Sequence, residues 1–337
     1  MAEHLERTCA LLPGPLPLEA YDRAHSPRPE VAYAAMLTIV YLRDDEGEQY
    51  RVERVFDEGE RDTTSVTAVR FGPPDLAGAR PVLWPDGPRG KVAVAFEQDA
   101  GAVRWRNDDV TFTIGTGPVT WRDGGGAMAL TLDRLADRGY SIWLPEQHGL
   151  PCQYHRAEMF RAEGVLDGRP VSGWGYVDYA YGAPGRSFVE LPMVMHLNKL
   201  WATWLGTFPD GSSTVGVLRW GRSQWDWSMA YVVRDGVAAV HDPVSVSISY
   251  GDDGVVRGGE LLAGPERVSF EQRWRLRLPF TTLGSVAGST SGTCELEWMP
   301  DNAPALFAAV QSGALTREHV ASLRIDGERV VVLGLLD

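Results

Sequence analysis

The chain has 337 residues, 44% of them hydrophobic and 23% charged, a globular composition that excludes a disordered or fibrous protein. With 45 acidic against 32 basic residues the net charge is -13, which argues against a phosphate-tracking nucleic-acid binder and against a protein held to an anionic membrane surface. At roughly 100 to 200 residues per domain, the length predicts two domains or one large all-β unit.

Only Lys91 and Lys199 are lysines, so Schiff-base chemistry has two candidates at most and the cationic roles fall to arginine. Cys9, Cys152 and Cys294 are three, widely spaced; they make neither a disulfide framework nor a Cys-rich zinc site, and a reducing compartment suits them. The start, Met1 to Arg7, lacks a basic segment followed by an apolar one, and no run of 18 apolar residues occurs. The expectation is a cytoplasmic protein with no export signal and no membrane insertion.

Residues 1–30 carry Pro13, Pro15, Pro17, Pro27 and Pro29, a density that interrupts any helix beyond a turn or two, so this stretch reads as a proline-rich arm. From Ala32 to Tyr250 short β-branched and aromatic runs such as Val92–Phe96, Val110–Ile114 and Val244–Tyr250 alternate with turn clusters, the pattern of antiparallel sandwiches or barrels. Arg267 to Leu278 alternates apolar Val268, Phe270, Trp274, Leu276 and Leu278 with polar residues, as a sheet with one wet face requires. Helical spacing is confined to Pro304–Ala314 and Leu315–Arg324, and Val330–Leu336 reads as a closing strand. Leu191-Pro192 divides the β-rich region, so the expected domains are 31–191 and 192–337, all-β apart from a short helical segment near the C-terminus.

The segment from His155 to Tyr181 is a hairpin whose register follows from its turn. Asp167-Gly168 is the pair that a two-residue type I′ turn demands, because both positions need positive φ. With that loop, opposite residues sum to 335: Glu163 faces Ser172, Arg161 faces Trp174, Met159 faces Tyr176, Ala157 faces Asp178 and His155 faces Ala180. One face then holds His155, Met159, Arg161, Glu163, Trp174, Tyr176 and Asp178, with His155 and Asp178 as diagonal neighbours. The other holds Arg156, Glu158, Phe160, Ala162, Tyr179 and Tyr181, and its Gly173 and Gly175 leave room for close approach of another layer or a ligand. The first face is expected to look into a cavity and the second to pack outward or against the other domain; the alternative is that both are ordinary half-wet sheet.

Seven of the twelve tryptophans (Trp143, Trp174, Trp201, Trp204, Trp220, Trp225 and Trp227) lie between residues 143 and 227. Aromatic walls suit a flat, apolar or cationic ligand, although core packing uses the same residues. On one strand, Trp225 and Trp227 would share a face with Met229 and Tyr231. The group His148, Cys152, His155 and Glu158 is no metal site, because His155 and Glu158 face opposite ways on a strand. Gly173-Trp-Gly175 is no dinucleotide loop and Gly87 to Val92 no P-loop; no serine-hydrolase elbow or zincin motif occurs. No metal or cofactor is expected.

Glu163-Gly164, the Asp167-Gly168 hairpin, Gly173-Trp-Gly175-Tyr176-x-Asp178 ending in Tyr181-Gly182, Trp201-x-x-Trp204 and Phe208-x-Asp210-Gly211 together resemble the carotenoid 1,2-hydratase (hydroxyneurosporene synthase) superfamily, which also includes the decalin-forming Diels-Alderases. The resemblance spans Ala32 to Asp337. It implies two lipocalin-like antiparallel barrels and a deep apolar pocket for a hydrophobic natural product, hydrated, cyclised or isomerised without a redox cofactor. The expected function is therefore a cofactor-independent cyclase, isomerase or hydratase acting on a polyene, polyketide or terpenoid. The alternatives are a non-catalytic lipocalin-like binder and an all-β sugar-active enzyme. In the enzyme reading Asp178 or Glu163 is the general acid or hydrogen-bonding anchor and His155 and Tyr176 orient it. Trp174, Arg161, Met159, Trp201, Trp204, Trp225 and Trp227 would contact the substrate.

Overall fold

The computed structural model describes every residue except 1, 15, 58–62, 72–78, 82–91, 251–255, 276–280, 304, 307–308, 310–313, 315, 317, 319–322 and 330–337. In chain order the strands are β1 (Glu3–His4), β2 (Thr8–Leu11), β3 (Ala32–Asp44), β4 (Gln49–Asp57), β5 (Thr63–Phe71), β6 (Ala79–Pro81), β7 (Val92–Ala93), β8 (Ala95–Gln98), β9 (Ala102–Arg106), β10 (Thr111–Gly115), β11 (Val119–Asp123), β12 (Met128–Arg134), β13 (Tyr140–Leu144), β14 (Gln153–Leu166) and β15 (Arg169–Gly182). They continue as β16 (Asn198–Thr207), β17 (Ser213–Gly221), β18 (Trp225–Asp226), β19 (Ser228–Arg234), β20 (Val237–His241), β21 (Ser245–Tyr250), β22 (Val256–Ala263), β23 (Glu266–Arg275), β24 (Thr281–Val286), β25 (Ser291–Trp298), β26 (Arg324–Ile325) and β27 (Glu328–Arg329). The protein is all-β, with two curled antiparallel half-barrel sheets and no helix of seven or more residues among those described.

Two compact units divide the chain, one of residues 7–73 and 80–191, the other of 1–6, 74–79 and 192–337. In the first, the main sheet runs β5-β4-β3-β15-β14-β12-β11-β10-β9-β8, with β13 on the far part of β14 and β2 on β13. Its curl brings strands far apart in that order into contact: Phe56 on β4 lies 5.6 Å from Trp105 on β9, and Trp105 lies 6.3 Å from Tyr179 on β15, ring centre to ring centre. One face of the sheet thereby closes on a single core that includes Phe56, Trp105, Phe112, Trp121, Phe160 and Tyr179. The second unit's sheet runs β20-β19-β17-β16-β25-β24-β23-β22-β21. Its core gathers Trp204, Val232, Leu261 and Phe270, contributed from both ends and the middle of that order.

The turn chemistry is as the sequence dictates. Asp167 (φ 49) and Gly168 (φ 77) are both in the left-handed region, and the 14 pairs of β14 with β15 include His155 with Ala180, Met159 with Tyr176 and Glu163 with Ser172. The hairpin therefore has the register that its type I′ turn predicts. Gly173 is needed for a different reason from the one its sequence suggests: a Cβ there would stand 1.9 Å from the Tyr41 carbonyl oxygen. The close approach is that of the paired strand β3 rather than of another layer.

In the proline-rich stretch helix is limited to one 3-10 turn, Leu18–Tyr21, Leu16, Ala20 and Tyr21 belong to the first unit's core and β2 extends its sheet. Alternation along β23 holds for Val268 and Phe270, both buried, and then shifts between Gln272 and Trp274 at an irregularity of pairing. Leu276 and Leu278 lie outside the described residues, as do the closing strand and most of the two helical stretches; only Ala305, Leu306, Ala309 and Glu318 are helical positions described there, and the expected C-terminal helical segment is not seen among the described residues. No helix among the described residues is long and apolar enough to cross a membrane.

Candidate functional site

On the outer face of the first half-barrel, successive strands place Tyr140, Ala157, Asp178 and Leu37 in one row and Ile142, His155, Ala180 and Ala35 in the next. The diagonal between those rows brings His155 Nδ1 to 3.0 Å from Asp178 Oδ1. On the other side of the ring, the Tyr140 hydroxyl lies 3.3 Å from His155 Nε2. The Nδ1 contact is one of ion-pair distance and the Nε2 contact one of hydrogen-bond distance, the donor at Nε2 being set by the tautomer. All three side chains are buried, His155 at 2% exposure and Asp178 at 4%. A phenol, an imidazole and a carboxylate thus stand in line, shielded from bulk water, and these are residue types that general acid–base chemistry uses.

Aromatic and sulfur surface continues along the same face. Tyr176 and Met159 sit directly opposite each other, and both are buried. Trp174 stacks on Tyr41, ring centres 4.5 Å apart and planes at 22°. Its indole Nε1 is buried with no hydrogen-bond partner among the described residues, a donor available to a ligand. Arg161 and Glu163, in contrast, are exposed. The register places Glu163 beside Ser172, six residues along β15 from Asp178, or about 20 Å at strand rise. The structure therefore sets His155 against Asp178, with Met159 and Tyr176 next along the face and Trp174 beyond them, and leaves Arg161, opposite Trp174, and Glu163 exposed toward the turn end.

The face expected to pack outward is the interior one. Phe160, Ala162, Val177, Tyr179 and Tyr181 all belong to the core enclosed by the curl. Alternation sorts side chains into two sets but does not say toward which set the sheet bends. Charged groups stand at one end of that interior. Arg134 Nε donates to Glu158 Oε1 at 2.7 Å and the Tyr21 hydroxyl donates to Oε2 at 2.8 Å. Burial, and then the Glu158 charge, push the Tyr21 hydroxyl well above its ordinary pKa, so it remains a donor.

Of the second-unit tryptophans expected to contact substrate, Trp204 and Trp227 make hydrogen bonds within that unit. Trp204 is fully buried in that unit's core, 5.7 Å from Phe270, and its Nε1 donates to Thr214 at 3.3 Å. Trp227 donates to Asn198 Oδ1 at 3.2 Å. It lies between β18 and β19 rather than within a strand, so the face shared by Trp225, Met229 and Tyr231 is broken there. Trp225 is half-buried, beside Glu3 of β1. Trp201 is buried on the face of β16 that turns from the core, next to Arg219 and Glu297.

Sequence patterning passes over Tyr140. Its strand, Tyr140-Ser-Ile-Trp-Leu144, alternates plainly enough, but the connection to β14 is not a two-residue turn, so nothing local predicts that Tyr140 stands opposite Ala157. Burial also pushes the Cys152 thiol up, which makes it a poor nucleophile. Among the described residues no group of three or more His, Cys, Asp or Glu side chains is placed to hold a metal ion.

No family model matches the chain, and neither does any curated protein. Among solved structures, a protein assigned as AttH from Nitrosomonas europaea is similar over 84% of this chain and 98% of its own, at 14% identity and a TM-score of 0.47. Kievitone hydratase from Nectria haematococca is similar over 79% of this chain and 89% of its own, at 11% identity and a TM-score of 0.36.

Proposed function

We propose that the protein is an acid–base enzyme of the hydratase, isomerase or cyclase type acting on a hydrophobic small molecule such as a polyene, polyketide or terpenoid, with His155 and Asp178 as its proton-transfer pair. The observation that carries this reading is the 3.0 Å contact of the two groups on a buried face bordered by Trp174, Tyr176 and Met159. In this reading residues 31–191 form the lipocalin-like domain that carries the chemistry and 192–337 the second such domain.

The reaction balances without electron transfer. In its protonated form, an imidazolium beside the Asp178 carboxylate, the pair delivers its extra proton to an alkene carbon, leaving a neutral imidazole, and the adjacent carbon becomes cationic. The ring faces of Trp174 and Tyr176 stabilise that charge through their quadrupoles. In hydration, water attacks the cation and its surplus proton returns to the pair; in isomerisation or cyclisation, a substrate C–H or a second double bond supplies the electrons, and the proton is again returned. Tyr140 orients the imidazole, and low local dielectric strengthens each of these interactions.

Incubation of the purified chain with a panel of polyenes in H2¹⁸O or D2O tests the reading. Turnover with ¹⁸O or deuterium entering the product is expected, and Asp178→Asn, which keeps shape but removes the carboxyl, lowers it about 10²-fold or more. Tight binding of panel members with no turnover identifies a carrier instead. Full turnover in both Asp178→Asn and His155→Gln removes the pair from the chemistry.

A further inference from the structure

The interior face of the same hairpin holds a second polar cluster, and several of its donors have no acceptor among the described residues. Arg156 on β14 stands directly opposite Tyr179 on β15. Its guanidinium lies 4.4 Å from the centre of the Tyr179 ring, 5.4 Å from that of Tyr21 and 5.8 Å from that of Tyr181. It donates to the Ala20 carbonyl, while its Nε, together with the hydroxyls of Tyr179 and Tyr181, is buried without a hydrogen-bond partner among the described residues. Exposures of 4%, 2% and 0% leave little access for bulk water.

The neighbouring anions are already engaged. Both oxygens of Glu158 accept bonds, one from Arg134 and the other from Tyr21. Asp22, half-buried nearby, accepts from the Ala24 amide. Those bonds leave the carboxylate oxygens occupied, and none of them reaches the Arg156 Nε or the two phenol hydroxyls. Burial raises the hydroxyl pKa of Tyr179 and Tyr181 despite the Arg156 charge, so both phenols stay neutral donors. Buried donors left without acceptors are costly in a folded protein, and an anion bonded by all three groups removes that cost. The surroundings are flat and apolar: Tyr33 lies 6.3 Å from Tyr179 and 6.2 Å from Tyr181, and Trp105 lies 6.3 Å from Tyr179.

We infer that Arg156, Tyr179 and Tyr181 form a receptor for the carboxylate of a flat, apolar organic acid inside the first half-barrel, separate from the acid–base pair on the outer face. The Arg156 Nε–H and the two phenol hydroxyls bind the carboxylate, and the rings of Tyr21, Tyr33 and Trp105 contact its body.

Calorimetric titration of the full chain with trans-cinnamate and with its neutral amide tests this. Cinnamate binds and raises the melting temperature, and the amide binds at least about tenfold more weakly, since a bond to a charged group exceeds one to a neutral group. Replacing both phenols in one chain (Tyr179→Phe with Tyr181→Phe) keeps the packing, weakens cinnamate about tenfold or more and leaves the melting temperature of the unliganded chain no lower. Arg156→Met abolishes the preference for the acid; if that chain does not fold, the phenylalanine pair decides. The inference is overturned if cinnamate fails to bind at millimolar concentration, if acid and amide bind alike, or if the phenylalanine pair binds cinnamate as the parent does. Loss of cinnamate binding in Asp178→Asn with none in the phenylalanine pair also overturns it, by placing the acid on the outer face.

Discussion

Arg54–Asp123 and His155–Asp178 are both cation–carboxylate pairs buried in one sheet, and they are built to opposite ends. Arg54 grips Asp123 with two prongs, Nε to Oδ2 at 2.6 Å and Nη2 to Oδ1 at 2.5 Å. Trp121 Nε1 and the Gly124 amide add donors to the same carboxylate at 2.8 and 2.7 Å, and Thr64 accepts from Arg54 Nη1 at 3.1 Å. A planar fork matched to a carboxylate and a base that never deprotonates make a permanent clamp. In the second pair the partner is an imidazole, which unlike a guanidinium can give up its proton, with a phenol on its far nitrogen. The first pair holds the sheet; in the proposed function the second moves a proton.

The largest expected effect breaks the clamp. Asp123→Ala strands the Arg54 charge and should cost about 3–5 kcal/mol in urea unfolding; a loss below about 1 kcal/mol would mean the two pairs are equivalent. Asp178→Asn should cost only about 1 kcal/mol, because the imidazole left behind can go neutral. A loss as large as that of Asp123→Ala would make His155–Asp178 a clamp too.

A third carboxylate sharpens the rule through pH. Burial works against the charge of Asp44, but bonds from the Tyr50 hydroxyl, the Glu48 amide, Arg169 and the Glu46 amide outweigh it and hold its pKa below the usual aspartate value of 3.8. Its folded pKa lies below its unfolded one, so its contribution to stability is present above 3.8 and is lost as pH falls through the folded value. The stability gap between the parent and Asp44→Asn, measured at pH 7, 5 and 3, should therefore narrow only in the most acid range. A constant gap would assign the loss to packing. The smallest effects belong to the exposed turn end: Glu163→Gln and Arg161→Ala should each change stability by no more than about 0.5 kcal/mol and leave turnover at the parent level. Loss of turnover in Glu163→Gln would return that carboxylate to the site.

How much of this was legible from the chain depends on range. The β14–β15 register follows from two residues, Asp167 and Gly168, whose φ values of 49 and 77 admit one kind of turn, and the His155–Asp178 contact follows from the register. Asp235-Gly236 and Asp326-Gly327 take the same left-handed pair of conformations and close β19–β20 and β26–β27. Tyr140 was not legible, since its pairing passes through an eight-residue connection that no turn rule governs. Glu163 and Arg161 share a face with Asp178, as alternation requires, yet a face 14 residues long is buried at one end and wet at the other.

The sequence by itself determined the all-β class, the turns, the hairpin and the two sets of side chains on its faces, because each rests on backbone geometry over a few residues. Tertiary structure alone decided which set is interior. That depends on the direction in which the whole sheet bends, and the bend is set by contacts such as Phe56 with Trp105, residues 49 positions apart in sequence and at distant places in the strand order. The same bend leaves Arg156 enclosed among tyrosines while its sequence neighbour His155 meets Asp178 on the other side.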